Sequence, residues 1–480
     1  MNKKINPKER RKKVLIVGAG EAGIMVLNEL KKNPHMNCEV IGFIDDNPAK
    51  KNSLVHGVQV LGVSEDISEK VGTHNIDKII ISIPSADGKT IRDIVSKCKK
   101  TEADIKIVPG IQQIITGEVS LKQIRDVYPE DLLGREMVQI NTEDVKSFIH
   151  DKIVFITGAS GSIGSELCRQ IAPFLPKNLI LFDHNENDLY FLELELSAQF
   201  PTLSFATIIG DIGDVGLLDH TFSNYKPQIV FHAAAFKHVP LMEKSPCAAV
   251  KNNVLSTQNL IYISEHYGVE SFVFISSDKA VNPTSIMGAT KRIGEMILQA
   301  KAKGSRTKFM AVRFGNVLGS KGSVVPLFKK QIEEGGPVTV THPDVRRYFM
   351  STKEAVQLVL QASALGTGGE VFILDMGEQI KILDLARDLI NLSGFEPDKD
   401  ISIEIIGLRP GEKLYEEMLH NIEKDKATKH DRVYISQSDD FDPRKLREQV
   451  KELEKLVNLM DNNQIIEKIR EIVPAYNPHS

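Results

Sequence analysis

The chain has 480 residues, a formal net charge of −4, 41% hydrophobic and 26% charged residues. This balance excludes a partner held by bulk positive charge, such as nucleic acid, and supplies enough apolar side chains for ordinary cores. Trp is absent and aromatics reach only 6%, which removes the usual stacking platforms for single strands or glycans.

The length predicts two or three domains. The basic run from Met1 to Lys13 reads as a solvated tail rather than a signal peptide, because no apolar stretch follows it at the required length. No run of 18 apolar residues is present, so no membrane span is expected. The cysteines, Cys38, Cys98, Cys168 and Cys247, share no metal-ligand or disulfide spacing. They fit a reducing cytoplasm, and no metal site is expected.

The first element is a strand over Val14–Val17. Gly18, Gly20 and Gly23 follow, then a helix through Met25, Leu27 and Leu30. A second strand over Val40–Ile44 ends in Asp45, and a third covers Lys78 to Ile83. The third is apolar enough to be buried on both faces, as in a parallel sheet. Strands alternating with helices predict βαβ units, here a first domain over residues 1–115. Residues 116–150, with Val127 to Glu136 rich in charge, proline and glycine, are expected to form a linker. A second copy of the pattern opens at Lys152–Thr157 and is expected to run over 151–430, with strands at Leu179–Phe182, Ile229–His232, Phe272–Ser276 and Phe309–Arg313. In the last segment, 431–480, Leu446, Val450, Leu453 and Val457 share one helix face, which suits packing or oligomer contact. The fold class is α/β, with two Rossmann-like parallel-sheet domains.

The second glycine loop reads Thr157-Gly158-Ala159-Ser160-Gly161-Ser162-Ile163-Gly164. It follows a strand and opens a helix, the context in which glycines let a backbone approach a pyrophosphate at a helix N-terminus. Gly158, Ser160, Gly161, Ser162, Ile163 and Gly164 are therefore cofactor candidates. Asp183 ends the next strand and suits an adenosine ribose; a carboxylate there repels a 2′-phosphate, which favours NAD over NADP. Asp211 and Ile212 are placed near the adenine. Ala233 and Ala234, in a run of small residues, either permit close approach of the cofactor or simply pack the core.

Ser276-Ser277-Asp278-Lys279 ends a buried strand, and Met287-Gly288-Ala289-Thr290-Lys291 follows it. With the glycine loop, these segments resemble an extended short-chain dehydrogenase/reductase. Such enzymes carry Tyr-x-x-x-Lys, whose members share one helix face; here Met287 stands at the tyrosine position. Ser277-Asp278-Lys279 with Met287-x-x-x-Lys291, and the Asp131-Leu132-Leu133-Gly134-Arg135 segment, resemble the membrane-associated UDP-N-acetylglucosamine 4,6-dehydratases of polysaccharide biosynthesis, in which the methionine is normal. The resemblance covers nearly the whole chain. It implies a second domain with a small C-terminal substrate subdomain, bound NAD, and C5-retaining chemistry. Asp278 is implied as the acid for water loss, Lys279 as the base at carbon 5, and Ser277 as a helper at the 4-hydroxyl. Lys291 is implied to hold the nicotinamide ribose beside Met287. Members of this subgroup usually begin with transmembrane helices. None reads here, so a natural soluble or a truncated form is expected, cytoplasmic or at the inner membrane face.

Arg313 to Pro326 looks like the family loop for a UDP-sugar. It makes Asn316, Ser323 and Val324 substrate candidates. Arg347 and Arg409 suit a diphosphate by bidentate hydrogen bonding, and Glu412 suits ribose hydroxyls. Lys237 and His238 are candidates for the pocket wall. A homo-oligomer is expected, as in related dehydrogenases. The first domain resembles nucleotide-sugar or CoA-binding-like regulatory domains, and its expected role is sensing or scaffolding. Two other readings stay open. A UDP-sugar 4-epimerase would share the loops but has no use for Asp-Lys. A silent NAD/UDP-sugar sensor would explain Met287.

Overall fold

A computed structural model describes residues 10–108, 124–128, 131, 138, 140–418, 426–436 and 440–478. Most of the Asp131–Arg135 segment therefore lies outside the described residues. The chain divides into two compact units. One comprises Met1–Met137, Phe328–Val338 and Asp384–Glu404, and the other Val138–Leu327, Thr339–Leu383 and Ile405–Ser480.

The first unit is built on a seven-stranded sheet. Its centre is strand Lys12–Val17, parallel to Cys38–Ile44 on one side and to Lys78–Ile81 on the other. Gly18 has φ +101°, and a Cβ there would lie 2.6 Å from the Ser82 carbonyl oxygen, so only glycine lets the chain turn. The Asp45 carboxylate accepts the Ala19 N–H at 2.8 Å and the Lys50 ammonium at 3.0 Å. Its oxygens close the glycine loop.

The second unit holds a nine-stranded sheet. From one edge the strands are Phe205–Ile209, Asn178–Asp183, Ile153–Thr157, Ile229–His232, Ser271–Ile275, Lys308–Arg313 and Val371–Leu374, all parallel. Val433–Ser436 and Lys426–Ala427 continue the sheet antiparallel. Alternate side chains enter opposite cores. Phe155, Ile180, Phe182, Val230, Phe272 and Phe274 pack on one face; Val154, Ile156, Leu179, Leu181, Phe231 and Val273 pack on the other. Strands covered on both sides lose the apolar–polar alternation of a half-exposed sheet, so they read as unbroken apolar runs. Each fully buried Phe or Leu contributes roughly 1.5–3 kcal/mol.

Helix Pro443–Leu459 places Leu446, Val450, Leu453 and Val457 in the core that holds Phe272 and Phe309. Its apolar face is spent within the chain, which is the packing reading of that helix. Among the described residues, no helix is long and apolar enough to cross a membrane. The first and fourth strands in chain order, Ile153–Thr157 and Ile229–His232, lie side by side, so crossovers leave in opposite directions from their carboxyl ends. A crevice opens there, where ligands bind in this type of sheet.

Candidate active site

A cavity of about 750 Å³ lies at these carboxyl ends, within the range of small-molecule sites. One wall is the glycine loop. Gly158 has φ +64°, and a Cβ on it would lie 2.7 Å from the Ala234 nitrogen. A Cβ on Gly164 would lie 2.0 Å from the Gly158 carbonyl oxygen. These two positions need glycine so that loop, helix and neighbouring strand can touch. Helix Ser162–Ile171 begins at Gly161 with no side-chain cap, unlike helices capped by Asn185, Asp214 or Ser285. Its uncapped N–H groups face the cavity-lining loop and suit a phosphate. Asp183 is buried. Its Oδ2 accepts the Ser160 N–H and its Oδ1 the Asn185 N–H, both at 2.9 Å, so the carboxylate is fixed at the cavity wall with lone pairs to spare. These features fit an adenine dinucleotide.

The floor is the end of strand Ser271–Ile275. Ser277 caps a short 3-10 turn, Asp278–Ala280, by accepting the Lys279 N–H. Helix Ile286–Ala302 packs on that turn because a Cβ at Gly288 would lie 2.1 Å from the Lys279 carbonyl oxygen. Met287 and Lys291 then line the cavity from one helix face. The Lys291 ammonium donates to the Ile275 carbonyl at 2.8 Å and lies 4.4 Å from the Phe274 ring centre. Burial brings its pKa down to about 7, against the opposing pull of Glu295.

Beneath the floor runs a buried polar network. Glu295 binds Arg313 through two contacts, at 2.7 and 2.6 Å, and accepts the Ser276 hydroxyl at 2.6 Å. Burial opposes its charge, but Arg313 and Arg292 hold its pKa down at about 2. His232 is bracketed by the hydroxyls of Thr157, at 2.7 Å, and Thr257, at 2.9 Å. Burial pushes its pKa down to about 3, so the ring is neutral.

Lys279 is the centre of the polar cluster. Its ammonium lies 3.0 Å from Asp278 Oδ1, 3.3 Å from Glu416 Oε1 and 3.2 Å from Asn316 Oδ1. Asp278 is fully buried, and its Oδ1 also accepts the Ser277 hydroxyl at 2.9 Å. Its Oδ2 has no partner among the described residues. Burial raises the Asp278 pKa, and the Glu416 charge adds to this, outweighing the pull of Lys279. Burial disfavours the Lys279 ammonium, but the carboxylates of Asp278 and Glu416 more than restore it, so its pKa is raised.

Of the residues given roles from the sequence, all but two line this cavity. Gly158, Ser160, Gly161, Ser162, Ile163, Gly164, Asp183, Ile212, Ala233 and Ala234 form the dinucleotide side. Lys237, His238, Asn316, Ser323, Val324, Arg347, Arg409 and Glu412 form the other. Asp211 is the first exception: it is exposed, and its carboxylate accepts the Gly213 N–H at 2.6 Å, turning the chain outside the wall. Asp278 is the second. It stands behind the wall, between Ser277 and Lys279 and beside Gly315. Arg347 is held by Glu412 at 3.1 Å and Glu416 at 3.7 Å, whereas Arg409 is exposed and has no ion-pair partner among the described residues.

The sequence reading missed Glu416. In Tyr415-Glu416-Glu417 nothing distinguishes the two glutamates. The fold does: Glu416 is buried in the cavity wall, while Glu417 is half exposed and binds Asn282.

Residues 154–438 match a family described as polysaccharide biosynthesis protein, and residues 5–109 match one described as CoA-binding domain. The chain is 47% identical over 431 residues to the probable polysaccharide biosynthesis protein EpsC of Bacillus subtilis, covering 90% of this chain and 72% of that protein. It is 34% identical over 273 residues to a Campylobacter jejuni protein named UDP-N-acetylglucosamine 4,6-dehydratase (inverting), covering 56% of this chain and 77% of that one. Among solved structures, Pen from Bacillus thuringiensis aligns with a TM-score of 0.56 at 32% identity, covering 64% of this chain and 99% of that one.

Proposed function

Because the chain belongs to the polysaccharide biosynthesis protein family, with an extended short-chain dehydrogenase/reductase fold, we propose that it is a UDP-N-acetylglucosamine 4,6-dehydratase that works with tightly held NAD. The observation that carries this reading is the Asp278–Lys279–Glu416 cluster at the junction of a dinucleotide cradle and a second, arginine-bearing half-cavity. An epimerase has no need of an acid and a base side by side, whereas loss of water across carbons 5 and 6 needs both.

Held by the Gly158–Gly164 loop, Asp183 and Lys291, NAD would supply the hydride acceptor for carbon 4 and the hydride donor for carbon 6. The chain's own residues do the rest. Ser277, at the cavity wall, holds the 4-hydroxyl. Lys291, close to neutrality, orients the ribose and favours loss of the hydroxyl proton. The ketone so formed acidifies the carbon 5 proton, which Lys279 takes. Asp278, whose pKa burial raises, is the acid for departure of the 6-hydroxyl as water, its proton passing through the Ser277 hydroxyl that stands between it and the cavity. Arg409 and Asn316 hold the diphosphate and the sugar, and Glu412 the uridine ribose. Retention at carbon 5 is the expected outcome, on the strength of Met287 at the tyrosine position. The Campylobacter relative is named as inverting, so product stereochemistry is a discriminating readout. The N-terminal unit serves as a nucleotide- or CoA-type sensor in this reading.

The test is mass spectrometry of UDP-N-acetylglucosamine incubated with the protein in deuterium oxide. Loss of one water with one deuterium at carbon 5 is expected, and NMR of the product reads the carbon 5 configuration. A product of unchanged mass points to epimerisation and refutes dehydration. No product at all, with NAD and UDP-sugar still bound, supports the sensor reading.

A further inference from the structure

Lys279 faces two carboxylates, and the resemblance assigns a task to only one. To act as the base at carbon 5, Lys279 must be a neutral amine, yet its ammonium is braced by Asp278 at 3.0 Å and Glu416 at 3.3 Å. It cannot act until it has lost a proton. Asp278 is an unsuitable acceptor, because the same reaction needs it protonated.

Glu416 has the geometry for that task. It is 4% exposed and lines the cavity. Its Oε1 points at the Lys279 ammonium, and its Oε2 has no hydrogen-bond partner among the described residues. The segment leading to it is stitched down by three hydrogen bonds. Lys413 donates to the Val281 carbonyl at 3.1 Å, Thr284 donates to the Gly411 carbonyl at 3.1 Å, and the Arg346 N–H donates to the Leu414 carbonyl at 2.9 Å. Glu416 is therefore fixed beside the turn that carries Lys279, and not merely near it. The charged groups facing it are Lys279, Arg347 and Lys413, with Asp278 beyond Lys279.

We propose that Glu416 is the proton partner of Lys279: a positioning residue that takes the proton the lysine must shed before it can act at carbon 5. The inference rests on the dehydratase reading. In the step, an Nζ–H bond of Lys279 breaks and an O–H bond forms on Glu416, leaving a neutral amine beside a neutral acid. Entry of the sugar expels water from the cavity, and desolvation disfavours both charged forms. Lys279 then takes the carbon 5 proton while Asp278 gives its own to the departing hydroxyl, and Lys279 later returns a proton to carbon 5. The proton removed from the 4-hydroxyl is taken by the Lys291 amine and leaves to solvent, and once water has departed a solvent proton restores Asp278 through Lys279, which touches it. Burial opposes charge on Glu416, but its three cationic neighbours hold its pKa down at rest, so the transfer belongs to the occupied cavity.

The test is Glu416→Gln, which keeps shape and removes the acceptor. Two measurements are made. With UDP-N-acetylglucosamine, kcat is expected to fall about 100-fold with KM nearly unchanged, as for loss of a positioned proton acceptor. Raising the pH should restore much of it, because solvent then removes the proton that Glu416 no longer takes. Without substrate, acylation of Lys279, followed by peptide mass against pH, should show a midpoint moved to lower pH, because one anionic neighbour has gone. Unchanged kcat, or a loss that higher pH does nothing to relieve, overturns the proposal. An unmoved Lys279 midpoint does the same. If the glutamine variant does not fold, Glu416→Asp withdraws the carboxylate by one methylene and should show both effects in weaker form; two unmoved readouts overturn the proposal there too. A wild-type protein that leaves the UDP-sugar intact refutes the dehydratase reading, while the Lys279 midpoint still decides whether Glu416 controls the lysine.

Discussion

Asp278→Asn separates the chemistry of the site from its architecture. Asp278 is fully buried, and burial raises its pKa, which favours the neutral acid that the reaction needs. An amide of the same shape keeps the Oδ1 acceptor for Ser277 and Lys279, and it places an NH2 group where Oδ2 has no partner. The stability cost should be that of one rearranged hydrogen bond, about 1 kcal/mol. The catalytic cost should be much larger, because an amide cannot give a proton to a departing hydroxyl: a loss of about 10²–10⁴-fold in kcat, roughly 3–5 kcal/mol of barrier. The pH dependence adds a signed check. A carboxyl with a raised native pKa binds more protons folded than unfolded, so the wild type loses stability as pH rises from the ordinary carboxylate range through the native value. The variant should lack that loss. Chemical denaturation at several pH values, beside product mass spectrometry, reads both quantities. A variant destabilised by several kcal/mol, or one that still releases water at the wild-type rate, would refute the reasoning.

Three further outcomes follow from the same geometry. Gly164→Ala puts a Cβ 2.0 Å from the Gly158 carbonyl oxygen, so the loop and helix must part by roughly 1 Å; about a 100-fold loss in kcat/KM is expected, with protein purified free of dinucleotide by its ultraviolet spectrum. Retained cofactor and rate would contradict the cradle. His232, with its pKa pushed down to about 3, binds fewer protons folded than unfolded, so stability falls as pH drops below about 6.5. The stability difference between wild type and His232→Asn should change by about 2 kcal/mol between pH 6.5 and 5, and parallel denaturation curves would sink the idea. Met287→Leu conserves volume at a buried position, so it should cost under about 1.5 kcal/mol and leave turnover close to wild type. A large kcat loss would mean that the thioether has a chemical part that packing does not explain.

The features legible in the sequence are those with local causes. Strands such as Ile153–Thr157 and Ile229–His232 stand out because burial on both faces demands an unbroken apolar run. The glycine loop is legible because its turn and close approach admit only glycine at Gly158 and Gly164. The face of Leu446, Val450 and Leu453 is legible from helical spacing, although only the folded chain shows that its own core covers it. Asp45 and Asp183 look like the same ribose-binding signal. In the structure both carboxylates also accept a glycine-loop N–H, a structural use that the pattern alone conceals.

Charge and position were beyond that reach. Asp211 resembles a cofactor contact by sequence distance, but its side chain folds onto Gly213. Glu416 and Glu417 are equivalent as letters. One becomes a buried partner of Lys279 and the other a surface residue, because Lys413, Gly411 and Leu414 pin their segment against residues distant in the chain. Periodicity records which face of an element is apolar, a matter of neighbours three or four residues away. The proton affinities at this site depend on which charges meet after folding and on how much water remains between them, and those pairings exist only once the segments around 279, 347 and 416 have been brought together.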